Sequence, residues 1–424
     1  MLTAIVGINW GDEGKGRMVD LLSSKYDIVS RYQGGNNAGH TVVNEKGKFI
    51  LNLLPSGMFR EKTVNIMGNG MVIDIEHLTG EKKKLTDKGI KISPANLKIS
   101  DKAIICMPYH KLLDCLEEDR LGDAKFGSTR RGIAPVYSDK YMKKGIRMGD
   151  LLNPDTLEKK VAAIVEWKNL TVDCGYKNHS ITTESMMKWL HQYGDHLKPY
   201  IIDITPYLTK ADKDGKNIMF EAQLGALRDI DFGIYPYTSS SSTIAAYAPI
   251  GAGIPGKQLN RVIGIMKAYS SCVGEGPFTC EMFGQEAKDM RDAGGEYGAA
   301  TGRPRRVGSF DIVASKYGIM VQGATEIALT KLDVLSYLEE IPVCVAYDVD
   351  GKKVTEFPTG DALEKAKPIV EYRKGFHCDI TKCRKLEDLP KEAMNYIKYI
   401  EAAVGCKIKY VSVGPARDEY ITMY

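Results

Sequence analysis

Apolar residues along the chain fall in short runs separated by longer amphipathic stretches. The runs Leu2–Ile8, Val64–Met67, Ala103–Cys106, Asn217–Phe220, Val262–Ile265, Glu326–Leu329 and Ile408–Val413 are too short for stable helices and read as buried strands. Between them, Ile75–Lys88, Thr156–Trp167 and Glu184–His191 repeat apolar side chains at helical spacing. The alternation predicts an α/β fold: a large, mainly parallel central sheet flanked by helices, with substrate loops gathered at the carboxyl ends of the strands. Two stretches read differently. Val42-Val43, the turn Asn44-Glu45-Lys46-Gly47 and Phe49-Ile50-Leu51 predict a small β-hairpin, and residues 153–209 predict a helical sub-lobe within one large domain, 1–424. Near the end, Pro390 opens a helix whose Met394, Ile397, Ile400 and Val404 share one face, and Gly405 stops it. That helix reads as core structure without chemistry.

The strongest chemical signal follows the first strand. Gly7-Ile8-Asn9-Trp10-Gly11-Asp12-Glu13-Gly14-Lys15-Gly16-Arg17 leads into a helical start at Met18–Leu22. Strand, glycine loop and helix together aim backbone N–H groups at a phosphate. Lys15 stands where a P-loop lysine reaches the β/γ-phosphates, but the spacing is not the P-loop's. The interval from Gly7 to Gly14 is too long, and Gly16 replaces the Ser or Thr that would ligate Mg²⁺. A metal here needs another ligand, and Asp12 is the candidate, because a carboxylate inside a phosphate loop repels phosphate unless a cation intervenes or it does chemistry. The plain alternative is a glycine-rich turn with surface charges. Against it stand the flanking strand and helix and a second polar loop, Arg31-Tyr32-Gln33-Gly34-Gly35-Asn36-Asn37-Ala38-Gly39-His40-Thr41. An isolated histidine is usually structural or solvated; His40 sits among glycines, where backbone can approach a ligand closely.

Trp10–Gly16 and Gly34–Thr41 together closely resemble the adenylosuccinate synthetase family, GTP-dependent enzymes that join IMP to L-aspartate, and the resemblance continues to the C-terminus. It implies a P-loop-like site in which Gly11, Asp12, Glu13, Gly14, Lys15, Gly16, Arg17, Gly39, His40 and Thr41 bind GTP. Lys331, Leu332 and Asp333 would meet the guanine, and Ser412, Val413 and Gly414 would close over it, within a part spanning roughly 310–424. Asp12 and the carbonyl of Gly39 would hold Mg²⁺, whose preference is for hard oxygen ligands. Oxide is a poor leaving group, so the purine oxygen must be phosphorylated while a base removes the N1 proton and a donor supports the transferred group. Asp12 and His40 match those roles, with Lys15 on the phosphates. The loop Gly298–Arg306, otherwise readable as a solvated arginine cluster, would bind L-aspartate through Ala299, Ala300, Thr301, Arg303 and Arg305.

The IMP side is altered. Asn37, Thr129, Lys143, Gln223, Leu224, Ser239 and Arg303 match IMP-binding positions. Leu224, however, stands where the family usually has Gln near the purine O6, with Gln223 one residue earlier. Lys143 replaces an Arg that in the family crosses a dimer interface, keeping the charge and losing the bidentate fork. Arg130, Ala300 and Cys272 replace Gly, Thr and Arg. The resemblance therefore implies a homodimer with Lys143 reaching the neighbouring site. The departures motivate a second reading, the same ligase chemistry on another 6-oxopurine nucleotide such as GMP or dGMP. A third, a non-catalytic GTP-binding switch, does not account for Asp12, His40 and the arginine loop together.

Composition narrows the partners. A formal net charge of +4 on 424 residues gives no argument for nucleic acid. The nine cysteines are scattered without a C-x-x-C pair, so neither a zinc site nor a disulfide framework is expected. No stretch approaches a membrane span, and no signal segment is legible. The expectation is a cytoplasmic ligase of AMP biosynthesis.

Overall fold

The central strand of the molecule is the first one. The computed structural model describes residues 1–44, 47–298 and 302–424. In it Leu2–Gly7 (β1) is buried along its whole length, as its apolar run, broken only by Thr3, requires of a strand covered on both faces. Nine more strands complete the sheet: Ile28–Arg31 (β2), Val64–Met67 (β3), Leu97–Ser100 (β4), Ile201–Ile202 (β5), Ile218–Gly225 (β6), Arg261–Lys267 (β7), Glu326–Thr330 (β8), Ile408–Ser412 (β9) and Tyr420–Thr422 (β10). Their spatial order is β10-β9-β8-β7-β1-β6-β2-β3-β4-β5. Each neighbouring pair is parallel except the edge pair β9–β10. The mainly parallel α/β sheet expected from the alternation is what the chain forms.

Some expectations shift in detail. Ala103–Cys106 yields only Ile104–Ile105, which pairs with Val72–Ile73 outside the main sheet. The hairpin is His40–Asn44 against Gly47–Leu51, with His40 opposite Leu51; its turn residues Glu45 and Lys46 lie outside the described residues. The helices Pro154–Asn169 and Thr183–Gly194 bury Leu157, Val161, Ile164 and Leu190 in one core with Met67 of β3 and Leu97 and Ile99 of β4. The stretch 153–209 is thus built onto the sheet, and supplies its edge strand β5. The last helix runs Lys391–Val404 and ends at Gly405 in the left-handed region, φ 71°, which favours glycine. Among the described residues no helix is long and apolar enough to cross a membrane. Gly7, Arg31, Gly225, Lys267, Thr330 and Ser412 all end parallel strands. The loops that follow them meet on one edge of the sheet.

Candidate active site

The phosphate-type loop folds around its own carboxylate. Glu13 Oε1 accepts from the N–H groups of Asn9 at 3.1 Å and Gly11 at 2.7 Å, and Oε2 lies 2.9 Å from Lys15 Nζ. Lys15 also donates to the Gly11 carbonyl at 2.7 Å. Gly14, φ 94°, turns the chain into the helix Lys15–Leu22 (α1), whose start has no side-chain cap. Backbone donors and a lysine therefore already converge on an anion, here Glu13, as they would on phosphate. A Cβ at Gly7 or Gly11 would come within 2.5 or 2.8 Å of the Leu224 backbone, so the close approach of β6 requires both glycines.

His40 opens the hairpin and lies on α1: a Cβ at Gly16 would fall 2.8 to 2.9 Å from its side chain. Its Nε2 is 3.3 Å from Glu221 Oε1 without an aligned hydrogen bond. Ser56 holds Glu221 by its N–H and its hydroxyl, each at 2.8 Å. Burial, reinforced by Arg31 and Lys15, pushes the His40 imidazolium pKa well below the ordinary histidine value, so the ring is neutral. Burial likewise raises the Glu221 carboxyl, against the pull of Arg31.

Asp12 faces the arginine loop. Its Oδ2 is 2.9 Å from Arg305 Nε, a charge contact without hydrogen-bond alignment, while Arg305 Nη1 donates to Glu296 at 2.8 Å. Arg303 is exposed on the same loop, and Ala299, Ala300 and Thr301 lie outside the described residues. The neighbouring Arg306 is used differently: it grips Glu281 through Nε at 2.9 Å and Nη2 at 2.5 Å and donates to the Gly276 carbonyl at 2.7 Å.

At the base end, Lys331 is left-handed, φ 59°, and its ammonium binds the Gly294 carbonyl and approaches Glu296 to 3.7 Å. Burial raises the Asp333 carboxyl, opposed by Lys331 and Arg17. Arg17 ties α1 to the last loop through Ser412 Oγ at 2.5 Å and the carbonyls of Ala416 and Glu419. Leu332 and Val413 are fully buried, backbone as well as side chain.

The altered IMP-side residues separate into two groups. Gln223 is buried and its amide is committed: Oε1 to Arg31 at 2.8 Å, Nε2 to Asn37 Oδ1 at 3.2 Å and the Ala38 carbonyl at 3.1 Å. Leu224 instead sits half-buried in the left-handed region, φ 63°. It lies where the β1–β6 register jumps from Ile5↔Glu221 to Gly7↔Gly225, an irregularity that re-aims side chains. Ser239 contacts Ser241 at 3.2 Å, Thr129 is exposed, and Lys143 is exposed with φ 62°. Arg228, which nothing in the sequence singled out, sets its guanidinium 3.0 Å from Cys272 Sγ, so a positive group stands at Cys272 after all. Glu221, Glu296 and Arg228 were all missed; for Glu221 and Arg228 the available signal was a charge inside or beside an apolar strand, whereas Glu296, in the turn after the helix Gly284–Gly294, offered none.

A family model described as adenylosuccinate synthetase matches residues 4–421. The chain belongs to the adenylosuccinate synthetase family. Adenylosuccinate synthetases of Streptococcus gordonii and Streptococcus sanguinis are each 41% identical over 416 residues, 98% of this chain and 96% of theirs. The fully ligated adenylosuccinate synthetase from Plasmodium falciparum superposes with a TM-score of 0.93 at 35% identity, covering 100% of this chain and 99% of that one. A cyanophage S-2L succinoaminodeoxyadenylate synthetase bound to dGMP and dATP shares the fold, with a TM-score of 0.61 at 18% identity over 99% of this chain and 95% of that one. Adenylosuccinate synthetases are ligases of purine biosynthesis, and this chain is one of them.

Proposed function

We propose that the chain joins L-aspartate to IMP at the expense of GTP, giving adenylosuccinate, GDP and phosphate. One observation carries this reading: around a single phosphate-type loop, a neutral histidine lies on Gly16 and a carboxylate-binding arginine lies on Asp12. Asp12 takes the N1 proton of IMP as O6 attacks the γ-phosphorus. The P–O bond to GDP breaks and 6-phosphoryl-IMP forms. His40, kept neutral by burial, gives a hydrogen bond to the transferred group, and Lys15 exchanges Glu13 for phosphate. Arg305 and Arg303 hold the carboxylates of aspartate, whose amine attacks C6; the C–N bond forms, phosphate leaves with the C6–O bond's electrons, and it carries off the proton that the amine gives up.

The donor set suits Mg²⁺. Among the described residues no three metal-ligating side chains cluster, and Mg²⁺ is ordinarily held by one or two carboxylates plus substrate phosphates rather than by a protein cage. Asp12 and the Gly39 carbonyl would hold it, and it would supply neutralisation of the phosphate charge.

The test is turnover of purified protein with IMP, GTP, aspartate and Mg²⁺, read as the absorbance change of the product; Asp12→Asn should lose at least about 100-fold in kcat. Failure of the wild-type protein to consume IMP would reject the assignment. Leu224 and the committed Gln223 amide favour one alternative, ligation to another 6-oxopurine nucleotide. Turnover of GMP or dGMP in place of IMP would establish it.

A further inference from the structure

Glu296 joins parts of the site that lie far apart in sequence. Its side chain is fully buried. Oε2 accepts from Arg305 Nη1 at 2.8 Å. Oε1 accepts from Lys267 Nζ at 2.7 Å and from the Tyr269 hydroxyl, with Lys331 Nζ at 3.7 Å. Its backbone carbonyl also accepts from the Arg305 N–H at 2.9 Å, and Tyr297 bridges Pro304 next to it. Glu296 therefore pins both the neck of the arginine loop and the guanidinium that the loop presents.

Stability alone does not account for this carboxylate. Lys267 is buried with it, 3% exposed, and a buried ion pair is commonly no more stabilising than apolar residues of the same volume. Burial pushes the Glu296 carboxyl up, but Lys267 and Lys331 outweigh it and hold it at about 2. A permanently charged, immobile carboxylate is suited to fixing a flexible arginine.

We propose that Glu296 is a positioning residue: it aims Arg305 at the carboxylate of the amino-acid substrate and ties that aim to Lys331 of the nucleotide-base loop. The inference rests on the reading of Arg305 as a ligand of aspartate. Held through Nη1 by Glu296, the Arg305 side chain loses little further freedom when a carboxylate arrives, and pre-organisation of this kind appears as substrate affinity. Lys331 shares the same carboxylate oxygen as Lys267, so a shift of Glu296 would disturb the base loop as well, to a smaller degree.

The test compares full-length Glu296→Gln and Glu296→Gln/Lys267→Met with the wild type. The double variant removes the unpaired buried lysine, which guards against simple misfolding. The expected result in both is a KM for aspartate raised about 10- to 100-fold, with a smaller rise for GTP, an unchanged KM for IMP, and kcat at saturating aspartate within about threefold. An active wild type whose double variant recovers the wild-type KM for aspartate would overturn the proposal, since Glu296 would then only balance the charge of Lys267. Equal losses for all three substrates would overturn it too. A wild-type protein inactive with IMP, GTP and aspartate would instead reject the ligase reading, and the role of Arg305 with it.

Discussion

Gly16→Ala separates catalysis from stability at one atom. A Cβ there would lie 2.8 Å from His40 Cβ and 2.9 Å from Cγ and Cδ2, where ordinary contact starts at 3.4 Å. The histidine must therefore retreat by at least 3.4 − 2.8 = 0.6 Å. Gly16 lies in the first turn of α1 with a right-handed backbone, so alanine gains about 1 kcal/mol of helix propensity, which offsets much of the strain of moving one side chain. The expected stability is close to wild type. Catalysis responds differently, because a misplacement approaching 1 Å costs up to roughly 100-fold in rate. We expect kcat to fall about 30-fold, roughly 2 kcal/mol of transition-state stabilisation, with a near-normal KM for aspartate. Gly80→Ala is the matched control: Gly80 is also helical, within Ile75–Asp87, and its added Cβ would meet nothing within 4 Å. It should raise Tm by about 1 °C and leave kcat alone. Steady-state kinetics and thermal melts on the two variants suffice. A Gly16→Ala protein with full kcat would refute the placement of His40 against α1 as a catalytic requirement.

Asp311 is buried at a helix start, where it accepts from the Ala314 N–H at 2.9 Å and the Tyr347 hydroxyl at 2.6 Å, and burial raises its carboxyl to about 6. The folded chain therefore holds this proton more tightly than the unfolded chain, and the group's contribution to stability falls as pH rises from about 4 to about 6. Asp311→Asn removes that loss, so its stability relative to wild type should improve by about 1 kcal/mol between pH 5 and pH 8 in denaturant melts; a gap independent of pH would contradict the burial effect. Arg306→Lys should cost about 1 kcal/mol of stability through the lost two-point grip on Glu281 while leaving the KM for aspartate unchanged, whereas Arg305→Lys should raise the KM for aspartate. Lys143→Ala should raise the KM for IMP several-fold if the residue reaches a neighbouring subunit's site, and mixing it with Asp12→Asn protein should then regenerate activity in hybrid dimers; no regeneration would argue against a shared site.

What the sequence disclosed was local. The strand, glycine loop and helix of residues 2–22 follow one another directly, so loop chemistry and helix start are both legible without a fold. His40 was recognisable because glycines and asparagines surround it. Its contact with Gly16 was not, since nothing in either segment specifies that the hairpin returns over α1. Glu221 and Glu296 were hidden for a different reason: a carboxylate beside apolar or glycine residues looks the same whether it faces water or holds a buried partner. Gln223 and Leu224 exposed the limit of period-two reading. Along β6 the alternation predicts one of them inward and one outward, but the register jump between Glu221 and Gly225 sets that choice, and only the pairing with β1 reveals the jump. Arg228 and Cys272 illustrate the same point across 44 residues: a missing arginine is conspicuous at one position, and its spatial replacement is invisible until the strands are assembled.

The contact between Asp12 and Arg305 has a thermodynamic consequence for the order of events. Asp12 Oδ2 lies 2.9 Å from Arg305 Nε, so the proposed base and the proposed aspartate ligand occupy each other before substrates arrive. The two groups are 29% and 20% exposed, a setting in which such a contact contributes about 1 kcal/mol. An aspartate carboxylate at Arg305 releases Asp12 toward the purine, and engagement of Asp12 by IMP and nucleotide releases Arg305. Linkage makes the two effects equal. Each substrate should therefore strengthen the other by about fivefold, the equivalent of about 1 kcal/mol. Titration calorimetry with succinate, a dicarboxylate lacking the reactive amine, measures this directly: its affinity should rise by that factor when IMP and GDP are present, and the rise should vanish in Asp12→Asn. Equal succinate affinity with and without the nucleotides would show that the pair is a passive surface contact, and would remove Arg305 as the element connecting the two half-reactions.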